Sequence, residues 1–185
     1  LTIGLAIGPG RALAQAEPAL VHVERAFDSD DVDLRNPKGL AYSPAADLLY
    51  VLEAHATTDA TIVALATWEE RLGEARVDVS LVDPINLAYD APHGRLLLLD
   101  SGAREIVSVP VAPTGVPDPA AGGTVRYAIG ALGLLAPRGM TVDPVSGALY
   151  ILDAAALRVV RISPGPGGDL EGTAALAAGR VSRID

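Results

Sequence analysis

The sequence predicts an all-β fold, a β-propeller of which about three four-stranded antiparallel blades are present, and three observations carry that prediction. A seventeen-residue phrase occurs three times: PKGLAYSPAADLLYVLE from Pro37, PINLAYDAPHGRLLLLD from Pro84 and PRGMTVDPVSGALYILD from Pro137. Two further β-type runs follow every copy. Half of the 185 residues are apolar and none is cysteine, so the chain can bury a sizeable core and must do so without disulfides. The three prolines are 47 and 53 residues apart, and a constant phrase with variable spacing indicates one supersecondary unit per period.

Taken in order, the chain opens with the apolar stretch LTIGLAIG, a Pro-Gly break and Ala14-Gln15-Ala16. A small-x-small site behind an apolar segment reads as the remnant of an export signal over residues 1–16, placing the mature protein outside the cell or in the periplasm. ALVHVERAF, which holds His22, alternates as an outer strand over 19–28. DSDDVD, Asp28 to Asp33, lacks the glycine and spacing of an EF-hand loop, so residues 17–35 are expected to be an outer strand and a solvated acidic linker.

The blades are expected over 36–82, 83–135 and 136–185. Within the phrase, GLAYSP, NLAYDAP and GMTVDP are short apolar runs ending in turn residues; LLYVLE, RLLLLD and ALYILD follow at once, which predicts a hairpin of strands buried on both faces. Third strands are expected at Thr61–Thr67, Glu105–Val111 and Arg158–Ser163. Fourth strands, more polar and alternating, are expected from Ala75, Thr124 and Gly179. Between them lie TWEERLGEA, APTGVPDPAAGG and PGPGGDLEG, whose Gly, Pro and charge content reads as loop.

Individual positions follow from that frame. Gly39 and Gly139 suit a close backbone approach or a positive φ where the inner strand begins, and Asn86 stands in the same place as the next most tolerant residue. Tyr50 and Tyr150 occupy matching core positions. The closing acids Glu53, Asp100 and Asp153 recur in every copy, which points to carboxylates accepting hydrogen bonds from backbone N–H groups in the following turn. Asp90 and Asp143 fit turn caps, and His93 a hairpin turn. Glu53 with His55 is the polar pair that no other copy repeats, and so the candidate for a ligand or metal role.

The pattern P-x-G-[LM]-[AT]-x-[SD]-P followed by LYVLE or LYILD resembles the NHL-type and gluconolactonase-like six-bladed β-propellers over residues 36–185. The resemblance implies a six-bladed ring, of which three phrases are a part. An open arc is expected to expose the flat faces of its terminal blades and to self-associate. Gluconolactonase-like members hold a divalent cation in the central channel through Glu, Asn and Asp, with an Asn directly before the phrase's Gly. Here that position holds Lys38, Ile85 and Arg138.

A net charge of −9, from 14 basic and 23 acidic residues, repels polyanions and argues against nucleic acid. No stretch is long and apolar enough to span a membrane. The expected function is a secreted scaffold presenting loops to a protein or carbohydrate partner, with no catalytic constellation, no metal and no cofactor. The alternative is part of a metal-dependent propeller hydrolase or lyase, the one case in which Ca²⁺ would be involved.

Overall fold

The computed structural model describes residues 28, 30–56, 59–66, 70–77 and 80–184, with backbone alone at 55 and 56. The expected export signal and His22 lie outside these residues, as does all of the expected outer strand but Asp28. Among the described residues twelve strands form three four-stranded antiparallel sheets, each a simple meander. The first contains β1 (Pro37–Ser43), β2 (Leu48–Ala56), β3 (Asp59–Ala66) and β4 (Arg71–Val77). In the second are β5 (Pro84–Asp90), β6 (Arg95–Asp100), β7 (Glu105–Pro110) and β8 (Val125–Ala128). The third holds β9 (Pro137–Val142), β10 (Leu149–Asp153), β11 (Arg158–Ile162) and β12 (Val181–Ile184). The architecture is that of propeller blades, with β1, β5 and β9 side by side as the innermost strands.

Why the second strand of each phrase reads as a continuous apolar run is clearest in β6. All six of its residues are buried. Successive side chains of a strand point to opposite faces, and the second blade is covered on both. Leu96 and Leu98 pack with Leu48, Tyr50, Leu52, Ile62 and Ala64 of the first blade. Leu97 and Leu99 pack with Leu149, Ile151, Val160 and Ile162 of the third. Each fully buried leucine contributes roughly 1.5–3 kcal/mol, so these two cores dominate the stability of the arc.

The outer faces of the flanking blades differ from this. On the first, Val51, Val63 and Leu65 are covered by Val32 and Leu34, which descend from a single 3-10 turn at Asp30–Val32. The acidic linker is thus not simply solvated: its carboxylates face outward while Val32 closes the sheet. On the third blade, Leu152 is 46% exposed and Tyr150 only half-buried. Tyr150 therefore departs from its expected core role, because at its phrase position the side chain points away from the second blade. In β1, Leu40 and Tyr42 are exposed for the same geometric reason, contrary to a strand buried on both faces.

Three other expectations are corrected. β4 starts at Arg71, inside the stretch expected to be loop: Ala66 N–H donates to Glu70 O at 2.7 Å, and Arg71 pairs with Leu65 across a register shift. Its charges misled because an outermost strand tolerates them at alternate, solvent-facing positions. The long connection in the second blade carries the short helix α1 (Pro119–Gly122), whose N-cap Asp118 accepts from Ala120 and Ala121 N–H. The one in the third carries α2 (Gly172–Ala177), which buries Ala175 against the second core. Among the described residues no helix is long and apolar enough to cross a membrane.

Candidate functional site: the inner-strand cleft

Each phrase begins with the same backbone device. Pro37 pairs with Glu53 and Gly39 with Leu52, so Lys38 is an extra residue; Ile85 and Arg138 are skipped identically in β5 and β9. These are β-bulges, which re-aim a side chain and sharpen the local twist. Lys38 and Arg138 are exposed and form no ion pair among the described residues, whereas Ile85 packs onto the core between the second and third blades.

The closing acids hold the segment that leads into their own blade. Asp100 accepts from Val82 N–H at 2.8 Å and Asp83 N–H at 2.9 Å, and from Ala103 N–H in the following turn at 3.0 Å. Asp153 accepts from Leu135 and Ala136 N–H at 3.0 and 2.8 Å and meets the Arg158 guanidinium at 3.3 Å. Burial opposes ionisation of Asp153, but the N–H groups of Ala136 and Leu135, the Arg158 charge and the N–H of Ala156 together outweigh it and hold its carboxyl below the ordinary range. Glu53 accepts from Arg35 N–H at 2.7 Å, while Asn36 Nδ2 donates to Ala54 O at 2.5 Å. His55 lies in the backbone of β2 at the irregularity between Ala54 and Ala56; its side chain lies outside the described residues. Among the described residues no group of three or more His, Asp or Glu could hold a metal ion.

The third phrase position works between blades. A Cβ on Gly39 would lie 2.8 Å from Leu87 N, so glycine there allows β1 to approach the β5 backbone. Asn86 Oδ1 instead accepts from Met140 N–H of β9 at 3.3 Å. Gly139 has open space around its would-be Cβ. None of the three has a positive φ, so the left-handed explanation is withdrawn and the close approach holds for Gly39.

In front of these strands lies a cleft of about 330 Å³ lined by Leu40, Tyr42, Asn86, Tyr89, Met140 and Thr141 among others. Its lining mixes aliphatic and aromatic side chains with the Asn86 amide and the Thr141 hydroxyl. β1, β5 and β9 are all sheet edges, so unladdered backbone borders the cleft as well. Tyr42 donates to Asp47 at 2.8 Å, and this bond, some burial and the Asp47 charge raise its hydroxyl pKa. The cleft can accommodate a ligand edge or a side chain.

At the opposite rim the structure assembles a group that sequence reasoning missed. Asp90 caps nothing. It is fully buried and accepts from Arg95 Nε at 2.7 Å, with His93 Nδ1 at 2.9 Å. Arg95 also donates to Tyr127 OH at 2.9 Å and to Gly168 O at 2.6 Å, joining the second blade to a loop of the third. The one available signal was Arg95 itself, a charge at the head of an otherwise leucine strand. Asp143, by contrast, does cap its turn, accepting from Val145 and Ser146 N–H at 2.8 and 3.3 Å.

No family model and no curated protein matches the chain. Among solved structures it is similar to the calcium-binding protein regucalcin of Agrobacterium tumefaciens, at 14% identity, covering 80% of this chain and 44% of that one with a TM-score of 0.54. It is similar also to a luciferin-regenerating enzyme, at 15% identity, 67% and 41% coverage and a TM-score of 0.50. A candidate 6-phosphogluconolactonase from Bacteroides uniformis matches at 19% identity, 72% and 40% coverage and a TM-score of 0.50. At such identities the likeness shows the fold alone, that of a β-propeller. The chain spans about two fifths of the length of these structures.

Proposed function

We propose that the chain belongs to an exported, non-catalytic β-propeller scaffold that binds a protein or carbohydrate partner on the face formed by its inner strands and their flanking turns. One observation carries the reading: the carboxylates that recur in every phrase are already engaged by backbone N–H groups, while the inner strands present a cleft lined by Leu40, Tyr42, Tyr89 and Asn86. A buried carboxylate accepting two or three N–H bonds serves architecture. A cleft that combines aromatic and aliphatic side chains with an amide serves recognition.

Calorimetry with calcium and with zinc tests the non-catalytic part: no site tighter than about 10 μM, near −7 kcal/mol, should be seen. A tight one-to-one titration abolished by Glu53→Ala would overturn it in favour of a metal-dependent hydrolase or lyase. Binding to an oligosaccharide and peptide panel, compared with the Lys38→Glu/Arg138→Glu variant, tests the face. Binding undiminished in that variant, with its fold intact by circular dichroism, would place recognition elsewhere.

A further inference from the structure

The arc ends on two different faces, and each repeats one half of the junction between the first and second blades. In that junction Gly39 brings β1 onto the Leu87 backbone, Tyr50 stacks on Tyr89 with ring centroids 5.7 Å apart, and Leu52 is fully buried. Counting along the phrase, Gly139, Tyr150 and Leu152 are the counterparts of Gly39, Tyr50 and Leu52. They share the face of the third blade that points away from the core with the second. There Leu152 is exposed, Tyr150 is half-buried, and a Cβ on Gly139 would meet nothing within 4 Å. Gly139 has no positive φ either, so nothing inside the chain demands a glycine, whereas an approaching backbone would give it the role of Gly39.

At the other end of the arc, Leu40 and Tyr42 are the counterparts of Leu87 and Tyr89, the receiving half. Both are exposed, on the face of β1 opposite to the one that carries Ala41 into the first core. The two ends also carry opposite charge. Arg161 donates to Tyr150 OH at 3.2 Å, with its guanidinium over the ring at 6.0 Å from the centroid. Tyr42 in turn donates to Asp47 at 2.8 Å. The counterpart of Asp47 in the second blade is Gly94, which lines a cleft together with Tyr50 and with Gly115, the acceptor of the Tyr50 hydroxyl. An Asp47 docked in the same register would therefore arrive at the hydroxyl end of Tyr150, beside Arg161.

We propose that a second copy of this chain covers the outer face of the third blade with its first blade, Tyr42 of one copy packing against Tyr150 and Arg161 of the other while Asp47 pairs with that arginine. The occupant follows from the register, because the surface that matches Gly139, Tyr150 and Leu152 is carried by the chain itself. Head-to-tail contacts form a closed assembly when the rotation between copies allows it, and two arcs of three blades related by a two-fold axis make a ring of six. Val32 and Leu34 cover Val51, Val63 and Leu65 on the second and third strands of the receiving blade. They can stay in place, because blades diverge away from the ring axis and leave widening space between the sheets. Leu40 and Tyr42 also border the inner-strand cleft, yet the dimer stands independently of any ligand there.

Sedimentation equilibrium of the whole chain tests this assembly, with a closed species of twice the 18.9 kDa chain mass expected. Reversing one charge, as Asp47→Arg or Arg161→Asp, should weaken the dimer at least about tenfold, and the double variant Asp47→Arg/Arg161→Asp should recover most of the loss. The backbone at Asp47, with φ of 53°, accepts arginine, since Arg104 takes 56° in its own turn. Gly139→Ala, neutral to the fold of a single copy, should weaken the dimer as well. Leu152→Asp, at an exposed position, should leave a monomer with unchanged circular dichroism. A monomer of the unaltered chain, or species that grow beyond the dimer with concentration, would overturn the proposal. So would a dimer that survives Leu152→Asp, or single losses that the double variant does not recover, since association would then use another surface.

Discussion

The junction of the first and second blades and the junction of the second and third have one geometry and two chemistries. At the bulged rim, Gly39 allows β1 to close directly on the β5 backbone, while its counterpart Asn86 spans to β9 with a side-chain bond. In mid-sheet, Tyr50 and Tyr89 stack in the first junction, whereas Leu97 and Val142 hold the matching places in the second. At the far rim, Ser43, Ala46 and Leu48 leave a cleft where Asp90, His93 and Arg95 make a polar plug. A repeat fixes the positions of the backbone. It leaves each junction free to be sealed by dispersion or by charge, and unsealed space remains where the residues are small.

The largest effect that would break this contrast is expected at Arg95. Removing it by Arg95→Ala leaves the fully buried Asp90 without its cation, which typically costs about 3–5 kcal/mol. Replacing both as Asp90→Leu/Arg95→Met should cost less than the single change, since a well-packed apolar pair avoids the uncompensated charge. Urea denaturation of both variants decides this; equal losses would show that the pair acts through hydrogen bonds to Tyr127 and Gly168 alone.

Next in size is the close approach at the first junction. Gly39→Ala forces a Cβ onto the Leu87 backbone and should destabilise by roughly 1–3 kcal/mol. Gly139→Ala, with nothing within 4 Å, should be close to neutral in the same assay. Comparable losses would remove the distinction drawn between the two glycines.

Tyr50→Phe preserves the ring stack but leaves Gly115 O without its donor, for about 1 kcal/mol by thermal melting. A neutral result would mean that water replaces the phenol at that rim. The smallest effect is expected from Asn86→Ala, which loses one long bond to Met140 N–H and should cost about 0.5 kcal/mol. A loss above 2 kcal/mol would show that the inner-strand amide organises much more of the third blade than its single bond suggests.

How much of this was readable beforehand depends on the reach of the interaction. The hairpins were legible because their pattern is local: a strand covered on both faces reads as a continuous apolar run, as RLLLLD does. Position β4 was misjudged because Arg71 and Glu74 carry charge on a wet face, which composition alone does not distinguish from loop. The closing carboxylates were recognisable as architectural by recurrence. Yet recurrence could not say that Asp100 and Asp153 would reach 17 and 18 residues back, to the chain entering their own blade, as well as forward into the turn.

What the sequence determined by itself is the unit and its repetition: three phrases, each a hairpin followed by two more strands, with glycine or asparagine and an acid at set places. What only the tertiary structure decided is how successive units meet. Arg95 and Gly168 are 73 residues apart, and nothing in the periodicity of either segment joins them. Spacing within a strand follows from backbone geometry and is written in the order of residues. The packing of space between sheets depends on side chains from distant loops arriving at one point, and packing alone reveals that His93 lies against Gly147 and Gly168 at one junction while Leu48 lies against Gly115 at the other.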